Sequence, residues 1–114
     1  MKKQDIEYKD TEVDFTVQLK DINTGIGITN GPKPFTLKDA VNIALAQGEL
    51  IKDRPPVVEM SMRVSLTFLL KTNPAKVPLE VEDINYILAV VSESTKGFIS
   101  MPFLVEMRRQ CEKK

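Results

Sequence analysis

Histidine and tryptophan are absent from this chain of 114 residues, and it has a single cysteine. Without histidine, imidazole-based acid–base and nucleophilic catalysis is excluded, and so are zinc sites built from Cys and His. One cysteine also excludes a disulfide within the chain. The sequence lacks the phosphate-binding loops G-x-x-x-x-G-K-[ST] and G-x-G-x-x-G and the G-x-S-x-G turn of hydrolases. We therefore expect a protein that is not an enzyme and that uses no cofactor and no metal.

Neither sign of charge is in excess, because 16 Lys and Arg residues balance 16 Asp and Glu residues. A chain without net charge has no long-range field to attract nucleic acid or an anionic membrane. No apolar stretch approaches the ~20 residues of a membrane span, and no apolar segment follows Lys2 and Lys3 as in a signal peptide. We expect neither a membrane nor a nucleic-acid partner, and a cytoplasmic location, where the thiol of Cys111 stays reduced.

The distribution of apolar residues indicates one domain preceded by a short arm. Apolar residues make up 42% of the chain, enough for a core, whereas residues 1–12 hold seven charges and few apolar side chains. We predict a flexible N-terminal arm over residues 1–12 and a single globular domain over residues 13–112.

The first part of the domain has the pattern of a β-hairpin. Apolar and polar residues alternate over 13–19, the period of a half-buried strand, and Asp21–Gly25 has the composition of a turn. The same turn resembles the start of a calcium-binding loop, but such a loop needs a glutamate where this chain has Pro32. We predict a hairpin over about 13–29, which must pack on other elements because two strands alone are marginally stable.

Three later segments have helical patterns. The first covers about residues 36–47, with Thr36 and Asp39 as a capping box and Gly48 as its stop. The second covers about 80–94, and the last begins near Ser100 with Pro102 in its first turn. The fold class is therefore predicted to be α+β, with an N-terminal β-hairpin packed on a three- to four-helix bundle.

The segment 57–72 is ambiguous. Apolar residues alternate with polar ones from Val58 to Phe68, which favours a long strand. A length of sixteen residues is instead typical of a helix. The local pattern alone leans slightly towards a strand.

Three groups of side chains are candidates for a chemical site. Glu80, Glu82 and Asp83 could bind a cation or act as acid and base, but acids in a first helical turn are expected for the helix dipole alone. Cys111 is expected to be a small buried apolar residue. The basic residues at the C-terminus are expected to be a solvated helix end rather than a nucleic-acid site; they are Arg108, Arg109, Lys113 and Lys114.

A further pattern consists of Thr36, Leu37 and Asp39, with Ala44 and Leu45 after them. It resembles a motif of a small protein family encoded by tailed bacteriophages and prophages. The stretch 77–84 is similar to its V-D-L-(S/T)-x-E-D-I motif, departing from it at Pro78 and Glu80, and Pro102 is similar to the start of its last helix.

The resemblance covers about residues 34–112 and implies an origin on a mobile element, with no established activity. It also implies that Glu59 to Leu70 matches the second helix of the family, with Arg63 at its arginine. On this ground we predict a helix over residues 57–72.

Apolar residues of this segment are the candidates for an interaction surface. Methionine provides adaptable apolar contacts, and three consecutive large apolar residues on a helix point in different directions because successive positions differ by ~100°. We therefore expect more than one covered face and a chain that is at least a homodimer. The candidate residues are Met60, Met62, Phe68, Leu69 and Leu70.

Three functions are open at this stage. The first is a non-enzymatic, phage- or prophage-encoded binding protein that acts on a host or viral protein in the bacterial host cytoplasm. The alternative is a phage morphogenesis factor, such as a tail or head assembly chaperone or a minor structural protein. The third is an enzyme with carboxylate-only chemistry, which would need Glu80, Glu82 or Asp83 to line a pocket.

Overall fold

The computed structural model describes residues 7–46, 55–73 and 75–112, and within them helices and short strands form one core. The strands, in antiparallel pairs, pack with four helices, so the predicted α+β class is confirmed. The elements are β1 (Thr11–Asp14), β2 (Thr29–Asn30), β3 (Lys33–Pro34), α1 (Leu37–Ala46), α2 (Pro56–Thr72), β4 (Lys76–Leu79), α3 (Val81–Ser94) and α4 (Gly97–Cys111).

Strand β1 pairs with β4, far away along the chain. The pairing is antiparallel, with Thr11 opposite Leu79 and Val13 opposite Val77. Val13 and Val77 are fully buried, so one face of this pair belongs to the core. The hairpin was predicted to begin at residue 13, but residues 13 and 14 belong to β1, which pairs with β4 instead. The hairpin therefore begins later in the chain.

The N-terminal hairpin itself lies around the predicted turn. Lys20 and Gly27 form an antiparallel bridge. Between them, Oδ1 of Asp21 accepts hydrogen bonds from the backbone N–H groups of Asn23 and Thr24 at 2.8 and 3.1 Å, and Gly25 has a φ of 73°. The turn prediction for Asp21–Gly25 is confirmed, since an Asx turn and a left-handed glycine close the hairpin.

Helix α1 begins at the predicted capping box. The backbone N–H of Thr36 donates to Oδ2 of Asp39 at 3.0 Å, and the N–H of Asp39 donates to Oγ1 of Thr36 at 3.3 Å. Four residues of α1 are buried against the core: Leu37, Ala40, Val41 and Ala44. The predicted stop at Gly48 lies outside the described residues.

The segment 57–72 is helical, as predicted from the family resemblance, although the alternation of its apolar and polar residues favours a strand. Helix α2 covers Pro56–Thr72 and turns Leu66 and Leu70 into the core. The apolar residues do not show a helical period because both the buried face and the exposed face of α2 carry apolar side chains.

Helix α4 begins three residues before the predicted cap at Ser100. It covers Gly97–Cys111, and Pro102 lies inside it rather than in its first turn. A proline there removes the bond to the carbonyl of Phe98, four residues earlier. Phe98 is exposed, so water can hydrogen-bond to that carbonyl instead.

The end of α4 is joined to the start of the described chain. Tyr8 forms an antiparallel bridge with Glu112, and the N–H of Lys9 donates to the carbonyl of Cys111 at 3.0 Å. These contacts fall within the second half of the predicted arm over residues 1–12, whereas residues 1–6 lie outside the described part.

Two neighbouring residues of α3 allow the core to be tested. Ile87 is buried, whereas Leu88 is only partly buried at the edge of the core. We expect Ile87→Ala to lower the free energy of unfolding by about 2–5 kcal/mol, because it leaves a cavity, and Leu88→Ala to cost clearly less. Urea denaturation measures both, and equal losses would contradict the packing described for α3.

Candidate interaction surface on helix α2

Helix α2 carries a row of large apolar side chains that face solvent. Their spacing of three and four residues places them on one side of the helix. Their exposed fractions are 76, 58, 69 and 66% in chain order, so each is more exposed than buried. We call this row the α2 stripe; its residues are Val57, Met60, Val64 and Phe68.

The surface beside the α2 stripe is polar but almost uncharged. Lys71 is the one exposed charge of α2. The other exposed polar residues are small hydroxyl side chains: Ser61, Ser65, Thr67 and Thr72. A solvated helix face is ordinarily covered by charged residues, so this composition is unusual for a surface in contact with water only.

The remaining charges of α2 lie on its inner side. Glu59 is completely buried, and its Oε1 is 3.2 Å from Nη2 of Arg63, one helical turn later. Nη1 of Arg63 also donates to the backbone carbonyl of Leu45 in α1, at 3.0 Å. Arg63 thus ties α2 to the C-terminal end of α1 and satisfies one of the carbonyls that a helix end leaves open.

The residues predicted from sequence for the interaction surface fall into three groups. Met60 and Phe68 are exposed and belong to the α2 stripe. Met62 and Leu69 are partly buried and pack against the core. Leu70 is buried in the core, so it is not part of a surface; it lies four residues after Leu66 on the inner side of α2.

Sequence reasoning missed Val57 and Val64, which are the two most exposed residues of the α2 stripe. The signal was present, because 57, 60, 64 and 68 have helical spacing in the sequence. What the sequence did not show is which side of the helix faces the core. In the fold, the inner side is the one that places Leu66 and Leu70 in the core and lets Arg63 reach the carbonyl of Leu45.

The acidic residues considered as a chemical site stabilise the start of α3. The N–H of Glu80 donates to Oδ2 of Asp83 at 3.1 Å, and the N–H of Val81 donates to Oδ1 of Asp10 at 2.9 Å. Asp10, Glu80 and Asp83 also line a surface depression of about 570 Å³, which does not include Glu82. Among the described residues, no three Asp, Glu or Cys side chains are grouped as a metal site requires.

In the described part of the C-terminal helix end, the thiol of Cys111 is buried and both arginines are paired with glutamates. Cys111 is buried as predicted, and burial raises the pKa of its thiol. Arg108 pairs with Glu112 at 3.3 Å, and Arg109 pairs with Glu106. Lys113 and Lys114, the other half of the basic cluster, lie outside the described residues.

Comparisons of the chain with protein-family models, with curated proteins and with solved structures find no match. Within the described ranges, none of the helices has the length and apolar character needed to cross a membrane.

The buried ion pair of α2 can be tested by a pair of matched substitutions. We expect Arg63→Met to lower the free energy of unfolding by about 3–5 kcal/mol, because it removes the guanidinium from the buried carboxylate of Glu59 and from the carbonyl of Leu45. Lys71→Met, on the exposed side of the same helix, should change it by less than about 0.5 kcal/mol. Both are measured by chemical denaturation, and a near-neutral Arg63→Met would disprove the anchoring role.

Proposed function

We propose that this chain is a non-enzymatic binding protein that acts through protein–protein interaction, with the α2 stripe as its binding surface. The observation that supports this most directly is that helix α2 exposes the large apolar side chains of Val64 and Phe68, while its charged residue Glu59 is buried. Apolar surface in contact with water is unfavourable by about 25 cal/mol per Å², so four exposed side chains in one row gain free energy when a partner covers them.

The shape and charge of the surface favour a protein over other ligands. Small molecules bind in concave sites, whereas the α2 stripe runs along the convex side of a helix. Nucleic acid requires several cations for its phosphates, and Lys71 is the only exposed charge of α2. Apolar anchors such as Phe68 and Met60, surrounded by small polar residues, have instead the composition of a protein-interface core with its rim.

The resemblance over residues 34–112 supports a more specific form of the proposal. A phage- or prophage-encoded binding protein would act in the cytoplasm of the bacterial host, by occupying a host or viral protein. A role as morphogenesis factor would use the same surface on a structural protein of the virion. Detection of the chain in purified virions would favour that second role.

A matched pair of phenylalanines provides the test. Phe68 in α2 and Phe98 in α4 are both 66% exposed, but only Phe68 belongs to the α2 stripe. We expect an immobilised wild-type chain to retain one protein in stoichiometric amount from an extract of the cells that encode it. Phe98→Ser should retain it equally, whereas Phe68→Ser should weaken binding by roughly 30-fold or more, as loss of an aromatic hot spot does.

Two results would contradict the proposal. One is that no protein is retained in stoichiometric amount and that the chain also remains a single species in sedimentation equilibrium at every concentration. The other is that Phe68→Ser retains the partner as well as the wild type does. Circular dichroism of both variants would establish that each keeps its helices.

A further inference from the structure

We propose that the partner of the α2 stripe is the α2 stripe of a second copy. The two helices would lie antiparallel across a two-fold axis that passes beside Val64. The inference rests on the proposed function, since it names the occupant of that same surface. It is supported by the order of the residues along the stripe, by the position of the single charge and by the area of the surface.

The order of residues is self-complementary about Val64. In a two-fold antiparallel pair, each residue lies opposite the one that is equally far from the axis in the other direction. Met60 and Phe68 are each four positions from Val64, so methionine meets phenylalanine, and Val64 meets itself. Val57 and Lys71 are each seven positions away, so the stem of the lysine covers the valine while its ammonium group reaches water.

The residues on both sides of these anchors are small. Ser61 and Thr67 are each three positions from Val64, so they lie about 60° to either side of the α2 stripe. Small side chains beside large ones allow two helices to approach until their ridges and grooves interlock. The large residues of one stripe can therefore pack beside the small residues that flank the other.

The position of Lys71 favours the antiparallel arrangement over a parallel one. A surface that pairs with its own copy must not repel itself. In a parallel pair the two ammonium groups would face each other directly. In the antiparallel pair they are fourteen positions apart, or about 21 Å along the helix, well beyond the ~8 Å over which salt screens charges. The two helix dipoles also oppose each other favourably in this arrangement.

The area of the surface indicates a reversible dimer. The described helix of 17 residues is about 25 Å long. Its four stripe residues expose roughly two thirds of side chains that each bury ~60–120 Å² when fully covered. Both copies together therefore bury on the order of 300–600 Å² of apolar surface from these residues, which is less than the ~1,200–2,000 Å² of stable interfaces and fits a weak, transient contact. We expect a dissociation constant on the order of micromolar to hundreds of micromolar.

Cysteine cross-linking tests the register directly. A disulfide requires Cα atoms about 4.4–6.8 Å apart. Val64→Cys should form a linked dimer with itself under mild oxidation, because residue 64 lies at the axis. Met60→Cys and Phe68→Cys should not link when alone, since each is ~12 Å from its own copy along the helix, but an equimolar mixture of the two should link. The wild type, whose Cys111 is buried, is the control.

Sedimentation equilibrium over a concentration series tests the energetics. Val64→Asp places two carboxylates against each other at the axis and should weaken the dimer more than tenfold. Val105→Asp makes the same change at an exposed valine of α4 and should leave it unaltered. Lys71→Glu should tighten the dimer by roughly three- to tenfold, because its carboxylate then lies beside the first turn of the partner helix.

Each contrary result overturns a distinct part of the proposal. A single species near 12.9 kDa at every concentration, without linking of Val64→Cys, excludes the second copy. Loss of the retained protein in Phe68→Ser would then still support the α2 stripe as a site for a different partner. Self-linking at positions 60, 64 and 68 alike would show a parallel pair. A dimer insensitive to Val64→Asp would have its interface elsewhere.

Discussion

The pairing of β1 with β4 is the constraint on which the other elements depend. It joins Thr11 to Leu79 and so closes a long segment of chain that contains α1 and α2. Because β4 leads directly into α3, the same pair also fixes where α3 begins. Asp14, at the end of β1, holds α4 as well: its N–H donates to Oε1 of Gln110 at 2.8 Å, and its carbonyl accepts from Nε2 at 3.1 Å. Closing so long a segment is costly in entropy, and the buried side chains of the pair offset that cost.

Within that segment, a polar contact contributes to the rotation of α2. Leu66 and Leu70 bury one side of the helix, but apolar residues also occupy the other side, so hydrophobicity alone does not choose between them. The pair of Glu59 with Arg63 lies within α2, but the bond of Arg63 to the carbonyl of Leu45 reaches α1 and requires that this side of α2 faces it. A buried ion pair adds little net stability because both ions lose their hydration. The contact of Arg63 with α1 acts together with the burial of Leu66 and Leu70, and the opposite side of α2 then faces outwards.

Features whose determinants are close in sequence were predictable. The capping box of Thr36 and Asp39 and the turn after Asp21 depend on side chains that bond to backbone within three residues, and both are present. The partner of β1 was not predictable, because alternation identifies a strand but not the strand it pairs with. The outward face of α2 was predicted only in part for the same reason: Leu70 is buried and Val64 is exposed, and this difference depends on how α2 packs against the rest of the fold.

The fold does not require an apolar outer face on α2. Its inner contacts are supplied by Leu66, Leu70 and the ion pair, and lysine or glutamate at the outer positions would preserve all of them while favouring solvation. Charged outer residues would also have given the sequence a clear helical period in place of the alternation that favours a strand. Met60, Val64 and Phe68 thus obscure the helix in the sequence and expose apolar surface in the folded chain. Both consequences have one explanation if two faces of α2 are covered: the core of the chain covers one face, and a partner covers the other.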